Sequence, residues 1–395
     1  MTLNYDKYLA DSAEQHYSQE GYETIIEILH GDSDKMENKM QTHHNLQDKV
    51  IQEIHNIWDD AKKYLGVGPS YDLQQQFLQD QTPGKLIQYI KEMGNEFSHI
   101  SISDEVSIYY DTQRTLEMMQ ELGFLKETQH LFIEFNGNNL EQQQKFVQTI
   151  EEHYKDVYLE GLYLQSFKDD SSIVVQPPAI KTAILSIDLQ NSTLGIKEIE
   201  KFREKFADTK ELILHGIGDD FKFPSHTNLT HLTCRECGLK EISEEILSND
   251  NLEYLDLSYN QIRQIPEGLA KLPIHKLYLN DNEIKKGMNL PYITLNELNI
   301  SNNEIDAVSK EMACYVVTNY LYIDREGIDI SKNCINLKSA DDSTWSMIVG
   351  CLGVEKTHEV FLSKQMLPFS QSQEYQISQL EVFTKKKDLK TGLKL

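Results

Sequence analysis

The chain has 395 residues, of which 39% are hydrophobic and 26% are charged, so it is too long for one compact core and too apolar to be disordered. Its 63 Asp and Glu residues outnumber its 38 Lys and Arg residues, which gives a formal net charge of −25. Because such a surface repels phosphate groups, we expect no nucleic acid and no anionic lipid as partner, and expect instead a protein with a basic patch.

The first residues, MTLNYDKYLADSAEQ, contain no basic segment followed by an apolar stretch. No window of the sequence approaches the roughly eighteen apolar residues of a membrane helix. We therefore expect a protein that is cytoplasmic as synthesised and has no membrane span, and a leaderless route of secretion into host cells stays open. Five cysteines, an odd number, fit a reducing compartment better than a disulfide framework.

Residues 1–125 show helical periodicity and contain 22 acidic against 9 basic residues. Apolar residues spaced by three and four trace one face of a long helix. These are Met36, Met40, Val50, Ile54, Ile57, Trp58, Ala61 and Leu65. Further helices are expected over 22–30, 84–93 and 104–122, the last with Ser103 as its N-cap. The sequence predicts an all-α N-terminal domain.

A different period begins after this domain and is clearest in NLEYLDLSYNQIRQIPEGLAKL. Here Leu252, Leu255, Leu257, Asn260 and Ile262 follow the pattern L-x-x-L-x-L-x-x-N-x-L. The spacing has a physical reason, since a short strand directs alternate leucines into a core while the asparagine amide bonds to the backbone at the following turn.

The same pattern recurs along the chain. Clear copies are Leu229, Leu232, Cys234, Cys237 and Leu239; Ile274, Leu277, Leu279, Asn282 and Ile284; and Leu295, Leu298, Ile300, Asn303 and Ile305. Weaker copies are Ile133, Phe135, Asn138 and Leu140; Leu159, Leu162 and Leu164; Ile184, Ile187, Leu189 and Leu194; Leu212 and Leu214; and Leu321 and Ile323. Successive units begin 20 to 29 residues apart, at positions 130, 159, 184, 209, 229, 252, 274, 295 and 318.

This pattern resembles that of the leucine-rich-repeat (LRR) family. The resemblance implies an α/β solenoid, a horseshoe with a parallel concave sheet, over residues 126–327. Helical segments in the longer early units, NLEQQQKFVQTIEEHY and LGIKEIEKFREKF, resemble those of ribonuclease-inhibitor-like repeats. Pro177 and Pro178 mark an irregular connection between repeats and break any helix at that point.

Residues 328–395 are expected to form a mixed C-terminal capping region, because an open solenoid exposes its core at each end. STWSMIVGCLG predicts a helix, and HEVFLS and EYQISQLEVF predict strands. The run of Lys385, Lys386, Lys387, Lys390 and Lys394 predicts a solvated basic tail.

No motif predicts catalysis, a cofactor or a metal site. Cys234 and Cys237 form a C-x-x-C pair with His226 and His231 nearby, but the two cysteines occupy an inward position and the asparagine position of a repeat. The glycine pairs HGIGDD and GVGPS lack the lysine of a phosphate loop, and DSDKMEN lacks the remaining ligands of a calcium loop. None of the five cysteines begins the C-x-D motif of bacterial LRR ubiquitin ligases.

The register also predicts which side chains line the concave face, namely those between the inward leucines. Tyrosines and charged residues dominate this set, and tyrosine is enriched at binding hot spots. The predicted protein-binding residues are Tyr254, Asp256, Tyr259, Lys276, Tyr278, Asn299, Tyr320 and Tyr322. The alternative for each tyrosine is lateral packing within the sheet without any partner. Concave acids outnumber concave bases, which again predicts a basic partner.

The leading hypothesis is non-enzymatic protein recognition through the concave face. One alternative is a bacterial effector delivered into host cells, with the repeats as targeting module and the helical domain as adaptor or active element. A third hypothesis makes the helical domain an enzyme without a recognisable motif. A GTPase-activating protein built on repeats is a weaker alternative, because the residues essential in that family cannot be located in this sequence.

Overall fold

The structure is a computed structural model that divides into two compact units, residues 1–187 with 191–193 and residues 188–190 with 194–395. It describes residues 18–103, 109–135, 140–166, 180–188, 209–218, 223, 228–285, 295–322, 328–335, 339–363, 365 and 376–383. The predicted helix LGIKEIEKFREKF, both prolines of the PP pair and the basic tail lie outside the described residues.

The first unit contains seven described α-helices. They are α1 (Gln19–Leu29), α2 (Ser33–Thr42), α3 (His44–Leu65), α4 (Tyr71–Gln79), α5 (Pro83–Met93), α6 (Tyr109–Leu122) and α7 (Leu140–Tyr154). Every residue of the predicted apolar face between Met36 and Leu65 is buried, which confirms that prediction. The face belongs to two helices, however, because the chain leaves helical geometry at His43. Helix α4 was not predicted.

The chain next contains four described strands, and α6 and α7 separate the first three of them. The strands are β1 (His99–Ser103), β2 (His130–Phe135), β3 (Leu159–Ser166) and β4 (Thr182–Asp188). Strands β1, β2 and β3 pair in parallel, with His99 beside His130 and His130 beside Gly161. The alternating sequence HISIS buries Ile100 and Ile102, so the sheet begins before residue 125 and Ser103 ends a strand instead of capping a helix.

The second unit contains six parallel strands that pair in chain order. They are β5 (Glu211–His215), β6 (His231–Arg235), β7 (Tyr254–Asp256), β8 (Lys276–Tyr278), β9 (Glu297–Asn299) and β10 (Ile328–Asp329). Leu232, Leu255, Leu277 and Leu298 occupy equivalent inward positions and are each at most 1% exposed. The α/β solenoid predicted from the leucine spacing is confirmed.

The last predicted strand, at Leu321 and Ile323, is wrong. The segment Lys310–Tyr322 is a helix, α9, and the next strand is β10, where Ile328 lies beside Leu298. Thirty residues separate these two partners, which leaves room for a helix that the shorter preceding units lack. Consequently Tyr320 and Tyr322 are helical residues, and the sheet extends beyond residue 327.

The C-terminal part of the second unit is helical where it is described. It comprises α10 (Asp342–Leu352), α11 (Val354–Thr357), a π-helical turn (His358–Leu362) and a helix over 376–383. The two strands predicted there are therefore wrong. Tertiary packing explains the difference, since Phe361 packs edge-on against Trp345 and His358 Nε2 lies 2.9 Å from Oε1 of Gln376 in a buried contact.

A short helix, α8 (Glu244–Leu247), and a 3-10 turn (Glu267–Lys271) connect strands of the second unit. Across the described helices of both units, none has the length and apolar composition needed to cross a membrane.

Candidate functional site

An asparagine ladder fixes the turns that follow β7, β8, β9 and β10 in the second unit. The Asn260 Oδ1 atom accepts from the backbone N–H groups of Cys237 (3.0 Å) and Leu239 (3.1 Å). Its amide donates to the carbonyl oxygens of Cys234 (2.8 Å) and Leu257 (3.0 Å). Each buried amide therefore joins its own repeat to the preceding one.

Asn282, Asn303 and Asn333 repeat this geometry. Their Oδ1 atoms accept from the N–H groups of Ile262, Ile284 and Ile305 at 2.9–3.1 Å, and their amides donate to carbonyl oxygens one repeat back at 2.9 Å. The sequence predicted the first two of these asparagines. Asn333 was missed because the last strand was placed too early in the chain.

The residue before each of these four asparagines, and the residue before Cys237 at the equivalent position, has a left-handed backbone. Glu236, Tyr259, Asp281, Asn302 and Lys332 have φ between 52° and 58°. This conformation turns the chain sharply at the end of each strand and is unfavourable for side chains other than Gly, Asn and Asp. Tyr259 adopts it with its side chain 51% exposed, so this predicted binding residue lies at the strand end and projects into solvent.

The C-x-x-C pair lies inside the stack, as the repeat register predicted. Cys234 and Cys237 are fully buried, their Cα atoms are 6.1 Å apart, and their sulfur atoms are joined as a disulfide. The pairing was not expected from the odd number of cysteines. Among the described residues, no group of three or more His, Cys, Asp or Glu side chains is placed to hold a metal ion.

We call the face of the sheet opposite the inward leucines the open face. His231, Tyr254 and Tyr278 lie on this face of three adjacent strands, and we call them the aromatic strip. The ring centroids of His231 and Tyr254 are 5.5 Å apart with an interplanar angle of 23°, and those of Tyr254 and Tyr278 are 5.5 Å apart at 41°. The strip joins β6, β7 and β8 through contacts between neighbouring rings.

One end of the aromatic strip is held by a carboxylate. The Tyr278 hydroxyl donates to Oε2 of Glu297, whose Oε1 lies 2.7 Å from Nζ of Lys276. Burial raises the pKa of Tyr278, and the neighbouring Glu297 carboxylate raises it further. Burial likewise raises the pKa of Tyr254. Both phenols are therefore neutral hydrogen-bonding groups at physiological pH.

A second pair lies beside the strip. Arg235 Nε donates to Oδ2 of Asp256 at 2.8 Å, and the hydrogen bond to Asp256 raises the pKa of the guanidinium. Asp256 lies between the inward Leu255 and Leu257 and is fully buried, because its neighbours cover it. Asn299, on β9, accepts from the Ser301 N–H (3.0 Å) and hydroxyl (2.8 Å).

The structure thus brings five of the eight predicted residues together on adjacent strands. These are Tyr254, Asp256, Lys276, Tyr278 and Asn299. Tyr259 lies three residues after the end of β7. Tyr320 and Tyr322 lie on α9, so the strand predicted for these two tyrosines is wrong.

Sequence reasoning missed a second aromatic group, on the open face of the first unit. Phe132 and Tyr163 stack with centroids 4.5 Å apart at 10°, and the His99 and His130 rings are 4.7 Å apart. The available signal was the alternation within HLFIEF and LEGLYLQS, where Phe132 and Tyr163 stand between the inward positions of their strands.

A comparison with family models identifies leucine-rich repeats in a short part of the chain. A family model described as leucine-rich repeats (2 copies) matches residues 227–271, and no curated protein sequence matches the chain. Among solved structures, an internalin from Listeria monocytogenes is 15% identical with a TM-score of 0.35, covering 66% of this chain and 80% of that chain. An LRR protein of Leptospira interrogans is 13% identical with a TM-score of 0.32, covering 72% and 92%.

A structure of a TLR13–ssRNA13 complex is 15% identical with a TM-score of 0.41, and 56% of this chain matches 34% of that chain. The chain therefore spans about a third of the length of that relative. The matched segment contains β6 and β7, and the leucine register and the asparagine ladder continue the same pattern through β10. The chain therefore contains leucine-rich repeats.

Proposed function

We propose that the chain is a non-enzymatic recognition protein whose aromatic strip binds a basic segment of another protein. The observation that carries the proposal is the contact of three rings across three adjacent strands on the open face. Tyr254 and Tyr278 are each half-buried, so each keeps part of its ring accessible. Tyrosine offers a large contact area and loses little side-chain entropy on binding.

Preorganisation of the strip supports the same proposal. Tyr278 is bonded to Glu297, and Glu297 is paired with Lys276, so three side chains hold one another in place before a partner arrives. Binding to ordered side chains costs less conformational entropy than binding to mobile ones. A preformed aromatic surface therefore favours a specific partner.

The charges that remain on this face favour a basic partner. Arg235 and Lys276 are already paired with Asp256 and Glu297 inside the face. Glu253, next to the strip, is exposed, and Asp281 accepts from the amides of Asn280 and Asn302. The positive charges of Arg235 and Lys276 are therefore balanced by carboxylates within the face. The carboxylates at its border complement a positively charged segment.

The test is quantitative affinity capture with the full chain and with the variants Tyr254→Ala and Tyr278→Ala. We expect at least one captured protein to be lost with both variants, and its binding to the full chain to weaken as the salt concentration rises. Removal of a hot-spot tyrosine is expected to cost about 2 kcal/mol, or roughly thirtyfold in affinity.

The matched control is Tyr71→Ala, because Tyr71 is 74% exposed on α4 and does not belong to the sheet. Circular dichroism of each variant shows whether it is folded. If every captured protein binds all three variants as well as it binds the unaltered chain, the proposed role of the strip is refuted.

A further inference from the structure

The first unit has its own aromatic surface on the open face, centred on Phe132. The Phe132 side chain is 38% exposed although it lies in the middle of β2. One face of its ring is covered by Tyr163 of β3, with the ring planes only 10° apart. The two stacked rings form a flat, contiguous apolar surface on the open face.

The position of Tyr163 is fixed by Gly161, which lies two residues before it on β3. A Cβ atom on Gly161 would lie 2.6 Å from Cε2 of Tyr163 and 2.7 Å from Nδ1 of His130. The missing side chain thus lets the Tyr163 hydroxyl come within 3.5 Å of His130 Nδ1. His130 in turn lies 3.7 Å from a carboxylate oxygen of Glu160. The ring behind Phe132 is therefore anchored.

The other side of Phe132 borders a small residue. In the register of β1 and β2, Phe132 lies beside Ser101, which is exposed. Strand β1 therefore places a hydroxymethyl group, not a ring, next to Phe132. A flat group of a partner can reach the phenylalanine ring from this side.

The charge at this surface is negative. Glu134 follows Phe132 by two residues and so lies on the same face of β2, where it is half-buried. Within the described part of the chain Glu134 forms no ion pair. The Phe132 ring and the Glu134 carboxylate are therefore neighbours on one face of β2. Together they complement a planar cation with an apolar stem.

We propose that this surface, formed by Phe132, Glu134 and Tyr163, binds an arginine side chain of a partner protein. The guanidinium stacks on Phe132 and donates to the Glu134 carboxylate. Arginine fits better than lysine because its planar head can stack and donate at the same time, whereas the compact ammonium is strongly hydrated. The proposal does not depend on the aromatic strip, which belongs to the second unit.

The test is a titration of the full chain with a short peptide of alternating glycine and arginine. The readout is the ring signal of Phe132 in a protein carrying carbon-13 phenylalanine, assigned by its loss in Phe132→Leu. Matched peptides replace arginine with citrulline, lysine, phenylalanine or glutamate. Citrulline keeps the shape of arginine and removes its charge.

We expect the arginine peptide to shift the Phe132 signal and to bind more tightly than every other peptide. Binding to the variants is measured by calorimetric titration in a protein that also carries Tyr254→Ala and Tyr278→Ala. Phe132→Leu and Glu134→Gln are expected to weaken binding of the arginine peptide about three- to tenfold each. The controls are Tyr158→Ala, an exposed tyrosine of the same unit, and Glu152→Gln, an exposed acid on α7, which are expected to leave binding unchanged.

Equal binding of the citrulline peptide, or tighter binding of the lysine, phenylalanine or glutamate peptide, would overturn the assignment to arginine. Unchanged binding to Phe132→Leu would overturn the location. The peptide comparison is read at Phe132 and the variant comparison is made without the ring side chains of Tyr254 and Tyr278, so neither result depends on the aromatic strip.

Discussion

Arg235 donates to Asp256 across the boundary between two repeats, and this contact leaves the aspartate fully buried on a face that is otherwise open to solvent. The second oxygen of Asp256 accepts from the N–H (3.0 Å) and hydroxyl (2.7 Å) of Ser258. With the two guanidinium donors of Arg235, the carboxylate therefore has four such contacts and is part of the structure of the face.

Replacing Asp256 is therefore expected to destabilise the second unit. Asp256→Ala leaves the donors of Arg235 and Ser258 without their acceptor, which costs about 2–3 kcal/mol. Arg235→Ala is expected to cost about 1 kcal/mol, since the guanidinium is half exposed, and a double-mutant cycle is expected to show a coupling of about 1 kcal/mol. Urea unfolding measures all three. The control Glu253→Ala, at an exposed acid of the same repeat, is expected to change stability by less than about 0.5 kcal/mol, and a similar loss there would contradict the special role of Asp256.

The asparagine ladder makes a more local prediction. Asn282→Asp keeps the oxygen that accepts from Ile262 but replaces the amide that donates to Leu257 with a buried charge. The loss is expected to be about 2–4 kcal/mol. Hydrogen exchange is expected to accelerate first at the Ile262 amide and its neighbours, because each repeat contacts mainly the adjacent ones. Asn296→Asp, at an exposed asparagine, serves as control, and equal protection of Ile262 in both variants would show that the ladder is dispensable.

The sequence predicted the parts of this molecule that depend on repetition. Leu255, Leu277 and Leu298 align because a constant spacing places each at the same depth of the core, and Asn260 and Asn282 align for the same reason. The unit that ends at Asn333 escaped because a helix lengthens it, and spacing alone does not tell where an insertion lies. The helix α9 therefore displaced the predicted strand at Leu321.

Side-chain partners on the open face were not predictable in this way. The register placed Asp256 and Lys276 on the face. Whether each side chain forms an ion pair with an adjacent strand or stays available to a partner depends on distances across strands, which the sequence does not give. The surface at Phe132 was missed for another reason. Its units carry only weaker copies of the repeat pattern, so the intervening side chains gave no regular signal to follow.

Gly161 is expected to tolerate no side chain. Gly161→Ala places a methyl group within 2.7 Å of Tyr163 and His130, so the tyrosine ring must move. Overpacking of this kind costs about 1–3 kcal/mol. Tyr163 is also expected to leave its stacked position on Phe132, which a changed ring-current shift of the Phe132 signal would report. The control is Gly68→Ala, because nothing lies within 4 Å of a Cβ at Gly68. An unchanged Phe132 signal in Gly161→Ala would mean that the glycine does not position the tyrosine.

The buried Glu53 on α3 predicts a pH dependence of the first unit. Its side chain is fully buried, with Oε2 accepting from the Ser18 N–H at 3.0 Å, and burial raises its pKa from 4.5 to about 7. The folded state then binds the proton more tightly than the unfolded state. The contribution of Glu53 to stability is therefore fully present below pH 4.5 and is lost as the pH rises towards 7, by about 3 kcal/mol in total at roughly 1.4 kcal/mol per pKa unit.

Glu53→Gln removes this ionisation while keeping a polar group that can accept from Ser18. The variant is expected to be more stable than the natural chain above pH 7, by up to about 3 kcal/mol, and the difference is expected to shrink as the pH falls towards 4.5. Hydrogen exchange of the α3 amides, followed across this pH range, separates the first unit from the second. Glu152→Gln, at an exposed acid, is the control. A stability difference that stays constant with pH would show that Glu53 ionises at its ordinary pKa, because stability depends on pH only when the folded and unfolded states differ in pKa.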